Sequence, residues 1–173
     1  MRFPKNQFFM SKPNHTCIFV VEDDLMYSRS ILHMLEAKNF VNVRLFPNGE
    51  ECLEQLHLEP EVILLDYWLG EGKLNGKEVM EVIRNKSPRS KVIFLTAMDN
   101  LKIARETMAM GAYDYVVKTE SAMERVKNLL RRIVFEKQIQ EENRMLRRSR
   151  RLILFLVLLL GLATVGIFLL RFF

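Results

Sequence analysis

Between residues 17 and 117 the chain alternates short apolar runs with segments of helical spacing. The runs predict five strands: Cys17–Val21, Val41–Phe46, Val62–Leu65, Val92–Thr96 and Tyr113–Val117. Helices are predicted between them, over Leu25–Lys38, Gly49–Leu58, Gly76–Asn85 and Leu101–Met110, and a fifth begins near Ser121. Because strands and helices alternate, the sequence predicts an α/β fold with a five-stranded, doubly wound parallel sheet.

The fifth predicted helix has no sequence signal that would end it before the C-terminal apolar run. Residues 121–151 contain neither Gly nor Pro, and residues 152–170 carry no charge. At about 1.5 Å per residue, this uncharged run makes about 28 Å of helix, close to the hydrocarbon thickness of a bilayer. We therefore expect a transmembrane helix over Leu152–Leu170, with a buried core helix as the alternative.

The net charge of +5 is concentrated just before this apolar run. Residues 1–124 carry 15 basic and 18 acidic side chains, whereas residues 125–151 carry 10 basic and 3 acidic ones. A basic helix can grip nucleic-acid phosphates, but beside a membrane span it is more simply an anchor to anionic lipids. We expect no nucleic-acid partner, and the positive-inside rule places the preceding domain in the cytoplasm, on a single-pass C-terminal anchor in the cytoplasmic membrane.

The N-terminal residues argue against a secretory signal peptide, and the cysteines argue against a disulfide or metal-cluster protein. The longest apolar run among the first residues is Phe8–Met10, which is shorter than the roughly 7–15 residues of a secretory signal core. The two cysteines, Cys17 and Cys52, suggest neither a disulfide framework nor a metal cluster. They are predicted to be small buried residues of a protein in a reducing compartment.

Reactive side chains follow four of the predicted strands. The first strand runs into Glu22-Asp23-Asp24, the third into Asp66 and the fifth into Lys118, while the fourth ends at Thr96. Each of these alone is also typical of a helix cap or a solvated turn. In open α/β sheets, ligands bind outside the carboxyl ends of the strands, so the four together predict one functional edge.

The segments VVEDD, LLD, FLTA and GAYDYVVK resemble those of the response-regulator receiver domain, the phospho-accepting half of bacterial two-component signalling. The resemblance implies a flavodoxin-like receiver fold. It divides the chain into a flexible N-terminal arm (1–15), a receiver domain (16–130), a basic helical stalk (131–151), a transmembrane helix (152–170) and a short tail (171–173).

The resemblance also implies a magnesium site and a phosphoacceptor. Asp23 and Asp66 would bind Mg²⁺ directly, Glu22 would bind it through water, and the backbone carbonyl of Trp68 would complete the protein ligands. Carboxylate and carbonyl oxygens are the ligands that this hard cation prefers. Asp66 would then accept a phosphoryl group from the histidine of a kinase or of a phosphotransfer protein.

Three further roles come from the same resemblance. Lys118 would neutralise charge on the transferred group, and the Thr96 hydroxyl would bind the new phosphoryl oxygen. Tyr115 resembles the aromatic switch residue that turns inward with Thr96, and its alternative role is that of an ordinary exposed strand aromatic. The switch would change a face formed by the fourth helix, the fifth strand and the fifth helix.

The sequence departs from the family pattern at several positions. Thr119 follows Lys118 where a proline is usual, so we predict a trans peptide bond there. Gly70 and a lengthened loop after Asp66 predict greater loop mobility. Trp68 and Met98 are large and apolar at positions that influence water access to the phosphoryl group. We hypothesise that they exclude water, and the alternative for Trp68 is packing against the loop.

The function predicted from sequence is that of a membrane-anchored phospho-receiver that catalyses only its own phosphorylation and dephosphorylation. The alternative is a receiver-like scaffold that acts at the membrane without phosphorylation. Phosphatases that use an Asp nucleophile have a second Asp two residues later, which acts as the general acid. This chain has Trp68 at that position, which argues against a phosphatase. Ile139, Leu146 and Ile153 recur every seven residues, as in a coiled coil, so a homodimer is possible. The alternative is a solvated helical stalk.

Overall fold

The computed structural model describes residues 13–172, except for the side chains of residues 152, 154, 156–170 and 172. Its strands are β1 (Ile18–Val21), β2 (Val43–Phe46), β3 (Val62–Asp66), β4 (Lys91–Thr96) and β5 (Asp114–Val117). Its helices are α1 (Leu25–Glu36), α2 (Gly49–Glu54), α3 (Gly76–Lys86), α4 (Leu101–Ala109) and α5 (Ala122–Phe172). The predicted alternation of strands and helices is confirmed.

The five strands form one parallel sheet in the order β2-β1-β3-β4-β5. The chain leaves β1 towards one edge for β2 and then returns past β1 to β3. This reversal makes a crevice between the carboxyl ends of β1 and β3, where ligands of such sheets bind. Asp66 is the last residue of β3 and Glu22 follows β1 directly, so both lie at this crevice.

The central strands are apolar because helices cover both faces of the sheet. Every residue of β1 and β3 is buried, and in β4 only Lys91 is not. Strand β2 lies at an edge and is partly exposed. Cys17 and Cys52 are buried free thiols, as predicted, and burial raises the pKa of Cys52 to about 12, which keeps it protonated and unreactive.

The first four helices each begin at a side chain that caps their free N–H groups. Asp24, Asn48, Asn75 and Asn100 accept hydrogen bonds from the first turns of α1, α2, α3 and α4, respectively. Because each of these helices follows the carboxyl end of a strand, all four caps lie along the same edge. The caps fix the short connections that surround the crevice.

Two helix ends differ from the prediction. Helix α1 stops at Glu36 rather than at residue 38, because Asn39 adopts the left-handed conformation (φ 60°) that ends many helices. The predicted helix over residues 49–58 divides into α2 and a 3-10 turn, Leu56–Leu58, since the backbone at Gln55 departs from helical angles. Helical spacing continues across both breaks, so the sequence pattern does not reveal them.

Gly76 allows the loop after β3 to pass close to the sheet. A Cβ at this position would lie 2.5 Å from the backbone oxygen of Asp66 and 2.9 Å from Phe94 Cε1. The Gly76 N–H donates a 2.9 Å hydrogen bond to the carbonyl of Tyr67. A larger residue would therefore displace the backbone that carries Asp66.

The chain divides into two compact units, one ending at Asn128 and the other covering Leu129–Phe173. Within the second unit α5 continues as helix to Phe172. In the part of the chain that the structure describes, no helix has both the length and the apolar character needed to cross a membrane. Most side chains of the predicted span, Leu152–Leu170, lie outside the described part of the structure, as does most of the predicted N-terminal arm.

Candidate functional site

Three carboxylates meet at the crevice between β1 and β3. One carboxylate oxygen from each of Glu22, Asp23 and Asp66 lies within 4.8 Å of the other two. Glu22 and Asp66 are only 2% and 5% exposed, whereas Asp23 is open to solvent. We call these three residues the acidic cluster; they are the three carboxylates that the resemblance assigns to the metal site.

Asp24 stands beside the acidic cluster in sequence but has a different role. Its Oδ1 accepts hydrogen bonds from the N–H groups of Met26 (2.8 Å) and Tyr27 (3.1 Å). This carboxylate is therefore the N-cap of α1. Of the neighbouring pair of aspartates, only Asp23 offers its carboxylate to the crevice.

Lys118 brings a positive charge to the acidic cluster. Its Nζ lies 2.6 Å from Asp66 Oδ2 and 2.8 Å from Glu22 Oε1, and it donates a hydrogen bond to each. The backbone N–H of Lys118 also donates to the carbonyl of Thr96 at 2.7 Å, which fixes the start of this side chain at the end of β5. The side chain is 14% exposed, so the ion pairs are largely shielded from solvent.

Burial and the neighbouring charges shift the pKa values of both partners. Burial raises the pKa of Glu22 to about 7; the hydrogen bond from Lys118 opposes this shift and the Asp66 carboxylate adds to it. Burial also disfavours the charged form of Lys118, but its hydrogen bonds to Asp66 and Glu22 outweigh that effect and raise the pKa of this ammonium. The lysine therefore stays protonated at neutral pH.

The acidic cluster fits a divalent cation. Glu22 Oε2 is buried and accepts no hydrogen bond, although Lys118 Nζ lies 2.7 Å away. Within the described residues, Lys118 pairs with two of the three carboxylates, Glu22 and Asp66, so negative charge is left over. Mg²⁺ favours such oxygen ligands, and a bound cation would favour the ionised form of Glu22.

Thr96 and Tyr115 are joined through the backbone of Met98. The Met98 N–H donates to Thr96 Oγ1 at 3.1 Å, and the Tyr115 hydroxyl donates to the Met98 carbonyl at 2.7 Å. Both Thr96 and Tyr115 are buried. The alternative of Tyr115 as an exposed strand aromatic is therefore wrong, since its ring lies inside and its hydroxyl holds the loop after β4.

Trp68 and Met98 border the site with exposed side chains, 63% and 57% accessible, respectively. The backbone N–H of Trp68 donates a 3.2 Å hydrogen bond to Asp66 Oδ1, which orients the carboxylate. The predicted roles of these two residues in excluding water, and of the Trp68 carbonyl as a metal ligand, stay predictions.

The segment after Lys118 is connected by trans peptide bonds, since residues 13–172 contain no cis bond. This confirms the prediction for Thr119. The Thr119 N–H donates to the carbonyl of Val117 at 2.8 Å, and its hydroxyl lies 3.1 Å from the hydroxyl of Ser121. These bonds form the turn where the family usually has a proline.

Two residues near the site were missed by the sequence analysis. The Tyr27 ring centroid lies 4.7 Å from Lys118 Nζ, and Glu50 Oε1 accepts a 3.1 Å hydrogen bond from the N–H of Leu74 in the lengthened loop. Hydrogen bonds from the backbone N–H groups of Glu50 and Leu74 lower the pKa of the Glu50 carboxyl. The sequence does contain a signal for Tyr27: it lies in the first helical turn after the acidic residues that follow β1, and is therefore near the site.

Comparison with known protein families gives a match over most of the chain. The family model of the response regulator receiver domain matches residues 18–131. The nitrogen assimilation regulatory protein NtrX of Azorhizobium caulinodans is 28% identical over 144 residues, which are 76% of this chain and 31% of that protein. The chain thus spans about a third of the length of this relative.

Solved structures show the same fold. NtrX from Brucella abortus superposes with a TM-score of 0.67 at 22% identity, covering 78% of this chain and 30% of that one. A response regulator from Burkholderia pseudomallei, solved with a phosphorylated aspartic acid, a calcium ion and citrate, gives a TM-score of 0.61 at 22% identity, covering 73% of this chain and 72% of that one.

The raised pKa of Glu22 predicts that Glu22→Gln increases the free energy of unfolding at high pH, in the absence of divalent cations. Because the pKa in the folded chain lies above the ordinary 4.5, the stability that Glu22 contributes is complete below pH 4.5 and is lost as the pH rises through 7. The neutral Gln avoids this loss. We expect the variant to exceed wild type by about 1–3 kcal/mol in free energy of unfolding at pH 8, and to match it at pH 4.5.

Urea unfolding followed by circular dichroism in EDTA measures this difference. Glu120→Gln, which changes an exposed carboxylate, is the matched control and should show the same stability relative to wild type at both pH values. An equal effect of Glu22→Gln at pH 4.5 and pH 8 would contradict the prediction.

Proposed function

The chain belongs to the response regulator receiver family, and on that basis we propose that Asp66 accepts a phosphoryl group from the histidine of a kinase or phosphotransfer protein. The observation that carries the proposal is the ion pair between Lys118 and Asp66, at 2.6 Å, inside a cluster of carboxylates. A buried carboxylate beside a fixed ammonium is set up to receive a group that brings further negative charge.

In the proposed reaction an Asp66 carboxylate oxygen forms a bond to phosphorus as the bond between phosphorus and the donor's imidazole nitrogen breaks. The imidazole leaves and takes up a proton, and Asp66 becomes an acyl phosphate. Lys118 offsets the added charge. Asp23 and Asp66 would hold Mg²⁺ directly, with Glu22 acting through water and Trp68 through its carbonyl; the ion would supply further neutralisation of charge.

Phosphorylation would then change the loop after β4. The Thr96 hydroxyl would donate a hydrogen bond to a new phosphoryl oxygen on Asp66, and by turning towards it would disturb the bond that Thr96 Oγ1 accepts from the Met98 N–H. The Tyr115 hydroxyl donates to the carbonyl of the same Met98. The hydrogen bonds therefore link the acceptor site to the surface of α4 and β5, where a downstream protein would bind. The chain would turn over no substrate other than its own phosphoryl group.

We further propose that the receiver acts on the cytoplasmic face of a membrane. This part of the proposal is supported by the sequence: the uncharged run Leu152–Leu170 follows a segment of net charge +7 over residues 125–151. A helix of that composition and length suits the hydrocarbon core, and its basic flank suits anionic lipid headgroups.

The proposed phosphoacceptor predicts Mg²⁺-dependent labelling of the chain by acetyl phosphate, lost in Asp66→Ala. Asp23→Asn and Asp24→Asn form a matched pair. We expect Asp23→Asn to reduce labelling at least tenfold, an order-of-magnitude estimate for loss of a metal ligand. Asp24→Asn should label like wild type, because Asn also caps helices well.

Phosphate-affinity gels quantify the labelled fraction, and EDTA should abolish it. A wild-type chain that takes up no label, or an Asp66→Ala chain that labels normally, would contradict the proposal. The first outcome would favour a receiver-like scaffold that acts without phosphorylation.

The apolar side chains beside the site predict a long phosphorylated lifetime. If Trp68 and Met98 limit the access of water, then Trp68→Asn and Met98→Glu should each shorten the half-life of the acyl phosphate by about threefold or more, as expected when the barrier to hydrolysis falls by about 0.7 kcal/mol or more. The measurement is loss of label after the donor is removed. Unchanged or longer half-lives would remove the basis of this hypothesis.

The proposed anchor predicts that the full chain sediments with membranes and stays there after alkaline carbonate extraction. A chain ending before Arg147 lacks the apolar run and the four arginines directly before it, so it should remain in the supernatant. Recovery of the full chain in the supernatant would contradict the membrane proposal without affecting the phosphorylation proposal.

A further inference from the structure

Tyr27 contacts Lys118, the lysine of the site, through the face of its ring. Its ring centroid lies 4.7 Å from Lys118 Nζ, within the range of a cation–π interaction. Tyr27 is half-buried in the first turn of α1. Its N–H donates to Asp24 Oδ1, so the N-cap fixes the backbone from which the ring extends.

The ring and the carboxylates bind the same ammonium in different ways. Lys118 has three N–H donors, and it donates hydrogen bonds to Asp66 and to Glu22. The negatively polarised face of an aromatic ring attracts a cation without accepting a conventional hydrogen bond. Because the lysine side chain is only 14% exposed, little water screens this attraction.

A divalent cation would compete with Lys118 for two of its partners, since Glu22 and Asp66 belong to both the ion pairs and the acidic cluster. Once the cation and a phosphoryl group bind these carboxylates, the Lys118 ammonium loses part of its hydrogen bonding to Glu22 and Asp66. The Tyr27 ring is a contact that a metal ion has no reason to displace, because Mg²⁺ prefers oxygen ligands.

We propose that Tyr27 is a positioning residue for phosphoryl transfer: its ring keeps the Lys118 ammonium beside Asp66 while the carboxylates bind the incoming cation and phosphoryl group. This inference rests on the proposed function and deepens it. Tyr27 acts through Lys118 and touches no reacting atom. The ring face is the active feature, so the phenolic hydroxyl is dispensable.

The test is the rate of acetyl phosphate labelling at saturating Mg²⁺, measured on the full chain in a mild detergent. Tyr27→Leu removes the ring, and we expect it to slow labelling by about threefold to tenfold, the usual range for a partly desolvated cation–π contact. Tyr27→Phe keeps the ring and should restore the rate to within about twofold of wild type.

Replacement of Tyr27 by pentafluorophenylalanine separates electrostatics from packing. This ring has nearly the shape of phenylalanine, but its face no longer attracts cations, so the labelling rate should fall to that of Tyr27→Leu. The fluorinated variant also keeps the test valid if Tyr27→Leu fails to fold, which thermal unfolding by circular dichroism would reveal.

Tyr113→Leu is the matched control. It removes a tyrosine ring that lies 4.7 Å from Lys91 Nζ at the amino ends of β4 and β5, away from the acidic cluster. Labelling by this variant should match wild type.

The inference is overturned if a folded Tyr27→Leu chain labels at the wild-type rate, or if the fluorinated ring supports labelling as well as phenylalanine does. A wild-type chain that takes up no label would instead overturn the proposed function. The two failures are therefore distinguishable.

Discussion

The site depends on the ammonium of Lys118, held between the carboxylates of Asp66 and Glu22. Strand β5, which delivers this lysine, is separated from β3 by β4, so the side chain must reach across about 10 Å of sheet. The flexible four-carbon stem of lysine suits that reach. The hydrogen bond from the Lys118 N–H to the Thr96 carbonyl fixes where the stem begins.

Burial gives this interaction its strength and also its cost. Burial disfavours the charged form of Glu22 and the Asp66 carboxylate adds to this effect, so the pKa of Glu22 is raised. One ammonium cannot neutralise three carboxylates, so the cluster is receptive to a further cation. Asp66 therefore has a charged partner, Lys118. Because Asp66 is also buried, a charge added to it has large effects on its neighbours.

Hydrogen bonds help to hold the loops around the acidic cluster, beside apolar packing such as that of Leu69 in the loop after β3. Asp24 caps α1 and orients its first turn, Glu50 holds the N–H of Leu74, and Met98 connects Thr96 with Tyr115. Such bonds are modest individually and can exchange partners. A site built this way keeps its residues in place and still allows the loop after β4 to respond to a new group on Asp66.

The sequence by itself determined the order of strands and helices, because continuous apolar runs are what strands buried on both faces require. It also determined the reactive edge, since parallel strands bring their carboxyl ends together. Resemblance to the receiver family then assigned roles to Asp66 and Lys118. The apolar run after residue 151 is equally plain in sequence, although no membrane-spanning helix is found within the described part of the chain.

Only the tertiary structure decided that Asp24 is the N-cap of α1, because a capping carboxylate is recognised only by the N–H groups it binds. It also decided that Tyr115 lies inside and that the Tyr27 ring faces Lys118. The contacts of Tyr115 and Tyr27 join residues far apart in the chain. They depend on the order in which the strands lie in the sheet, which local patterns of apolar and polar residues do not specify.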